Sequence, residues 1–203
     1  MPKLTEDFTY TQEIKKSKFI TVLHRTTSEQ EAKEFLKQIK KEYPNATHYC
    51  TAMIIGNIVR SNDDGEPSGT AGHPMLDVLM HQEMDDIFAV VIRYFGGIKL
   101  GTGGLARAYS SGISQALAQA HLCSVQTLRE YRIDFSYEWI GKIDACLRKH
   151  DTEITLKKYE ETVQYQYTAL EDITQEVLEL TNGQVKPVYI RDVQKEIPVR
   201  KEG

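Results

Sequence analysis

The chain has 203 residues, 40% of them hydrophobic and 27% charged, and a formal net charge of −4. That composition suits a globular protein with room for two modest cores. It excludes a polycation that holds nucleic acid by overall charge, because the parts before and after Arg129 are both weakly acidic. Met1 to Asp7 has no apolar stretch of signal-peptide length, and no run approaches a membrane span. Three widely spaced cysteines (Cys50, Cys123, Cys146) form no CxxC pair. Free thiols in a cytoplasmic protein without membrane contact are therefore expected.

Residues 8–15 and 17–24 read as two strands. In the second, Phe19, Thr21 and Leu23 alternate with Lys18, Ile20 and Val22, which predicts cover on both faces. Ser28 with Glu31 three residues later is a capping box. The helix it opens sets Ala32, Phe35, Leu36, Ile39 and Tyr43 on one face and ends at Pro44-Asn45. Its lysines (Lys33, Lys37, Lys40, Lys41) read as a solvated face or a docking surface. Thr47 to Ile55 is a third strand carrying His48 and Cys50, a pair too small by itself for a zinc site.

From Arg60 to His73 the composition predicts irregular structure, with Pro74 starting a helix through Leu76 and Leu79. Within that loop Asp63, Asp64 and Glu66 offer three carboxylates in four residues. They are a Mg²⁺ candidate, an acceptor set for a ligand, or a solvated turn. The spacing is not that of an EF-hand.

Asp86 to Gln119 is the most informative stretch. An apolar strand from Ile87 to Ile92 runs into Arg93-Tyr94-Phe95, then a loop containing Gly96, Gly97, Gly101, Gly103 and Gly104. A helix is expected from about Leu105, with Tyr109, Gly112, Ile113, Ala116 and Leu117 at helical spacing. Such a loop can turn backbone N–H groups toward an anion at a helix start. Arg93, Lys99 and Arg107 bring positive charge, and Thr102 a hydroxyl. Gly101 to Ala106 spells G-x-G-x-x-A, but the strand ends too early and no acidic second strand follows. A Walker A loop is likewise a poor match, because Lys99 lies inside the loop and not at the helix start. The alternative is that the small residues serve close packing, above all Gly112 and Ala116.

Arg93 to Gly101, preceded by aliphatic residues, resembles the signature of the IMPACT family in its bacterial branch. Asp63-Asp64-Gly65-Glu66-Pro67 with Gly69-Thr70-Ala71-Gly72 resembles that family's second motif. Ser17-Lys18-Phe19 and Ala46-Thr47-His48 resemble two shorter ones, all four in order within residues 1–127. The resemblance implies an α+β chain whose first domain is like the second domain of ribosomal protein S5. It also implies a role tied to translation, with the ribosome, RNA or a translation-associated protein as partner. The eukaryotic branch regulates a stress-kinase pathway through an extra N-terminal domain. With the first motif at Ser17, that role is not carried over.

The second domain is expected over 128–203. Tyr131 to Tyr137 alternates as a strand, and a helix follows with Trp139, Ile143, Cys146 and Leu147 on one side. Strands at Ile154-Leu156 and Val163-Tyr167, a helix at Ile173-Leu180 and a strand at Val188-Ile190 complete a βαββαβ order. That is the ferredoxin-like unit, resembling the last domains of elongation factor G. The strand aromatics Tyr131, Phe135, Tyr165 and Tyr167 share the apolar register, so base stacking on the open sheet is not expected. The tail from Val199 to Gly203 is expected to fray.

Two functions stay open on the sequence, beside a protein-interaction module with no anion site in which the glycines are structural. One is an accessory factor that contacts RNA, the ribosome or a translation protein through the glycine loop. The other is an enzyme acting on a phosphorylated small molecule or nucleotide, with Mg²⁺ at Asp63–Glu66 and His48 or His73 moving a proton. No nucleophile motif identifies catalytic residues, and no motif demands a cofactor.

Overall fold

In the computed structural model, residues 1–199 are described, and the chain divides into two compact units. The first comprises Met1–Ser124 with Pro198 and Val199; the second is Val125–Ile197. The fold is mixed α+β, with two sheets and five α-helices among the described residues.

The first unit contains β1 (Pro2–Leu4), β2 (Phe8–Ile14), β3 (Ser17–Arg25), α1 (Glu29–Glu42), β4 (His48–Ile55), β5 (Ile58–Asn62), α2 (Gly72–His81), β6 (Ile87–Tyr94) and α3 (Thr102–Gln119). Five of its strands form an antiparallel sheet in the order β2-β3-β6-β4-β5. The middle strand β6 is buried from Ile87 to Arg93 because both faces are covered. Ile87, Ala89 and Val91 join the core beneath α2 and α3, whereas Phe88, Val90 and Ile92 join the core beneath α1. In β3, Phe19 and Leu23 take the first side and Ile20 and Val22 the second, as the alternation predicts.

The second unit is built from β7 (Leu122–Phe135, whose first three residues pair with β1), a 3₁₀ turn at Tyr137–Trp139, α4 (Ile140–Lys149), β8 (Glu153–Tyr159), β9 (Val163–Ala169), α5 (Thr174–Leu180) and β10 (Val188–Pro198). Its strands lie in the order β10-β7-β9-β8. The aromatics Tyr131, Phe135, Tyr165 and Tyr167 are buried with residues of α4 and α5, including Ile143, Leu147 and Val177.

Several boundaries differ from the expectations. Arg60, Ser61 and Asn62 lie in β5, an edge strand exposed at every position and therefore without alternation to read. α2 starts at Gly72, two residues before Pro74. α3 starts at Thr102, so Gly103 and Gly104 form its first turn and are not loop. The capping box of α1 is also modified: Ser28 Oγ accepts from the Glu31 amide, but Glu31 Oε2 reaches the Thr27 amide and the Thr26 hydroxyl. At the tail, Val199 N–H donates to the Leu122 carbonyl at 2.9 Å. Arg200 to Gly203, the rest of the expected frayed tail, lie outside the described residues. No helix among the described residues is long and apolar enough to cross a membrane.

Candidate functional site

Strand register sets three of the sequence motifs side by side. Arg93 on β6 lies opposite Phe19 of β3 on one flank and His48 of β4 on the other. Arg93 continues the Ile87, Ala89, Val91 parity, so its side chain falls on the α2/α3 side of the sheet. Glu66 arrives from the acidic loop and Tyr109 from α3. Arg93 Nη1 donates to Glu66 Oε1 at 2.5 Å, and the Tyr109 hydroxyl donates to the same oxygen at 2.8 Å. The two charged side chains are 6% and 3% exposed, so this ion pair is taken almost wholly out of water. Arg93 also lies over the Phe19 and Phe95 rings, 5.3 and 5.5 Å from their centroids.

His48 Nδ1–H donates to the Asp64 carbonyl at 2.8 Å, which leaves Nε2 3.8 Å from Glu66 Oε2. The Cys50 thiol lies 3.0 Å from the Asp63 carbonyl oxygen and 3.3 Å from the Tyr109 hydroxyl. Burial pushes the Cys50 thiol up to about 12, so it is held as a neutral donor. Burial likewise raises the Tyr109 phenol, with Cys50 and Glu66 adding to the effect.

The acidic loop uses its carboxylates to hold its own backbone. Asp63 accepts from the amides of Gly69, Ala71 and Gly72 at 2.8 to 3.0 Å. Burial pushes the Asp63 carboxyl up, and those three amides outweigh it, so the group sits below the usual carboxylate value. Asp64 Oδ2 accepts from the Tyr49 amide at 2.7 Å. Glu66 faces Arg93. The three carboxylates are turned to three different partners and do not converge as a Mg²⁺ site requires. His73 is exposed at the start of α2, 3.7 Å from Asp77.

The glycine segment departs from this cluster toward solvent. Phe95 N–H donates to the Thr47 hydroxyl and Gly96 N–H to the Ser17 hydroxyl, at 3.0 and 3.1 Å. A Cβ on Gly96 would stand 2.0 Å from the Lys16 backbone, so the segment and the β2–β3 turn touch main chain to main chain. Gly97 and Gly101 have φ of +86° and +77°, which only glycine adopts readily. Phe95, Ile98, Lys99, Thr102 and Gly103 are exposed, as are Lys15, Lys16 and Lys18. Arg107 lines a groove between α2 and α3 with Pro74, Asp77 and His81. Gly112 packs on the sheet, where a Cβ would meet Thr21 Oγ1 at 2.7 Å.

The structure thus brings together Ser17, Phe19, His48, Glu66 and Arg93 and leaves Lys18, Lys99 and Arg107 on the surface. Arg93 differs most from expectation: as a loop-side cation it was to face an anion, and its charge is matched inside the fold by Glu66. Sequence reasoning missed Tyr109, which hid in an apolar helical pattern, and Lys15 and Lys16; it named Cys50 and Thr47 without their partners, the Tyr109 hydroxyl and the Phe95 amide. The signal for the two lysines lay in their place at the tip of a predicted hairpin.

What these features define is a mixed α+β protein whose first unit joins four short motifs into one buried polar cluster beneath an exposed glycine segment. A family model described as the Impact N-terminal domain matches residues 15–117. The chain is 45% identical over 177 residues to IMPACT family member YvyE of Bacillus subtilis (strain 168), covering 84% of this chain and 82% of that protein. It is 43% identical over 157 residues to IMPACT family member YigZ of Escherichia coli (strain K12), covering 75% and 77%. A crystal structure of an hypothetical protein superposes with a TM-score of 0.59 at 35% identity, covering 94% of this chain and 97% of that one. The chain belongs to the IMPACT family.

Proposed function

We propose that the protein is a cytosolic accessory factor of translation that docks on RNA, ribosomal RNA included, by gripping phosphates with the glycine segment and the lysines around it. In this reading the first domain, about residues 1–127, has the architecture of the second domain of ribosomal protein S5. The second, 128–203, is a ferredoxin-like unit resembling the last domains of elongation factor G. Support comes from family membership, in a family with translation-related roles, and from one observation in particular. Lys15 and Lys16 occupy the tip of the β2–β3 hairpin with φ of +47° and +63°. A two-residue turn with both φ positive is best filled by Asn-Gly. Two lysines there cost roughly 1–2 kcal/mol each in backbone strain. The turn also presses on Gly96, so the strained lysines flank the segment that carries Lys99 and leads into α3, whose start has no side-chain cap among the described residues.

The hairpin makes a test that does not confound binding with folding. The Lys15→Asn/Lys16→Gly variant should unfold at higher denaturant than the parent and bind RNA more weakly, read by fluorescence anisotropy with a structured RNA and by ribosome co-sedimentation at graded salt. Each lost phosphate contact should reduce the salt slope by roughly 0.7–0.9. Unchanged affinity and slope in that variant, combined with Lys99→Glu, would remove the segment as the contact.

A second reading, turnover of a phosphorylated small molecule, is favoured by one observation: His48 Nε2 faces the buried Glu66 carboxylate at 3.8 Å with the ring partly open to solvent. Thermal-shift screening with nucleotides and sugar phosphates separates the two. A stabilising ligand whose effect is lost in His48→Gln supports turnover, and a flat screen supports the docking reading.

A further inference from the structure

The second unit holds a set of metal-type donors that neither reading uses. Cys146 lies on α4 and His150 caps the helix four residues on, so the two project from one face. Glu176 reaches them from the first turn of α5. The sulfur, the imidazole nitrogen and a carboxylate oxygen all lie within 4.8 Å of one another. Tetrahedral zinc, with bonds of roughly 2.0–2.3 Å, needs such atoms about 3.5 Å apart, which small rotamer changes supply. Thiolate, imidazole and carboxylate together suit zinc, whereas Mg²⁺ and Ca²⁺ ask for oxygen alone.

Glu176 is already oriented: Lys149 Nζ donates to Oε1 at 2.8 Å, while Oε2 lies 2.6 Å from His150 Nε2. An outer hydrogen bond of this kind, on the carboxylate oxygen left free, is what fixes a ligating group. The imidazole–carboxylate contact is the place where a metal would substitute for a proton.

We propose that Cys146, His150 and Glu176 form a zinc site that clamps α4 to α5, with a water molecule as fourth ligand. The thiol proton passes to solvent as zinc enters, the imidazole binds through Nε2 with its remaining proton on Nδ1, and Lys149 keeps its bond to the other carboxylate oxygen.

Cobalt(II) titrated into the full-length, chelator-treated, reduced chain tests this directly. One equivalent should bind with a thiolate-to-cobalt charge-transfer band, and zinc should displace it and raise the melting temperature. Cys146→Ser should lose the band. His150→Gln and Glu176→Gln, altered at partly exposed positions, should fold and bind at least about 10-fold more weakly. Cys50→Ser should keep the band, which separates this site from the His48–Cys50 pair of the first unit. The assignment is overturned if no equivalent binds, if the band survives Cys146→Ser or disappears with Cys50→Ser, or if His150→Gln and Glu176→Gln bind as the parent does.

Discussion

Replacing Glu66 by leucine while keeping Arg93 should unfold the first unit at markedly lower denaturant. The guanidinium is 6% exposed and its Nη1 loses the carboxylate 2.5 Å away. Two charges about 4 Å apart at an effective dielectric of about 20 attract by about 4 kcal/mol. Removal of one partner of a buried pair costs about 3–5 kcal/mol, because the other charge stays desolvated. The Tyr109 hydroxyl also loses its acceptor, for about 1–3 kcal/mol more. Set against a total stability of about 5–15 kcal/mol, the variant is close to unfolding. Arg93→Met should cost nearly as much, since it leaves Glu66 as the buried unpaired charge. The double variant Glu66→Leu/Arg93→Met should be more stable than either single one, because no buried charge remains and only Tyr109 is left unsatisfied. Urea titrations of the four proteins give the coupling energy, with unchanged m-values as the check that the same surface is exposed. Two single variants each within about 1 kcal/mol of the parent, or a double variant equal to their sum, would refute the claim that this pair organises the site.

Further outcomes follow from the same geometry. Gly96→Ala should cost about 3 kcal/mol or more, because its Cβ would stand 2.0 Å from the Lys16 backbone. Gly103→Ala, with nothing within 4 Å of its Cβ, should gain up to about 1 kcal/mol by stiffening the first turn of α3; melting temperatures compare the two. The folded Asp63 carboxyl lies below its ordinary value, so its contribution is complete above the unfolded value and is lost as pH falls through the folded one. Denaturant midpoints measured between about pH 5 and pH 2 should therefore fall less steeply in Asp63→Asn than in the parent. At neutral pH that variant should be the weaker protein, because an amide NH₂ can be turned toward the Gly69 N–H that now meets an oxygen. Ser28→Ala removes the side-chain cap of α1 and should cost about 1 kcal/mol, read by thermal unfolding.

Much of the scaffold was legible because it obeys local periodicities. The apolar run of β6 announced a strand covered on both sides, and the 2-residue parity of β3 assigned its two faces. The edges were not legible. β1 is three residues whose reason for being extended is a pairing with β7 more than a hundred positions away. β5 is exposed throughout, so no burial pattern marks it, and its Arg60-Ser61-Asn62 read as loop. The start of α3 was misplaced because Gly103 and Gly104 are poor helix formers; Gly101, at φ +77°, turns the chain into the helix ahead of them. The partner of Arg93 was out of reach for a different reason. It depends on the register of three strands and on where a loop from Asp63 to Gly72 lands, and neither is a local property.

The placement of the motifs bears on how a signature of this kind should be used. Within Arg93 to Gly101 the letters divide by direction. Arg93 points inward to Glu66 and Gly96 is pressed against the hairpin, while Gly97, Lys99 and Gly101 meet solvent. Ser17, Thr47 and Asp63, which also belong to the motifs, spend their polar atoms on main-chain amides of the two loops. Inward letters therefore act through the shape of the loops, and substitutions at them should change stability and, under the docking proposal, binding with it. The exposed side chain of Lys99 has no such internal duty, so under the docking proposal its substitution should change binding alone, whereas the strained hairpin lysines should change stability as well. A motif match tells that the frame is present; the contact itself has to be sought in the side chains the frame leaves free.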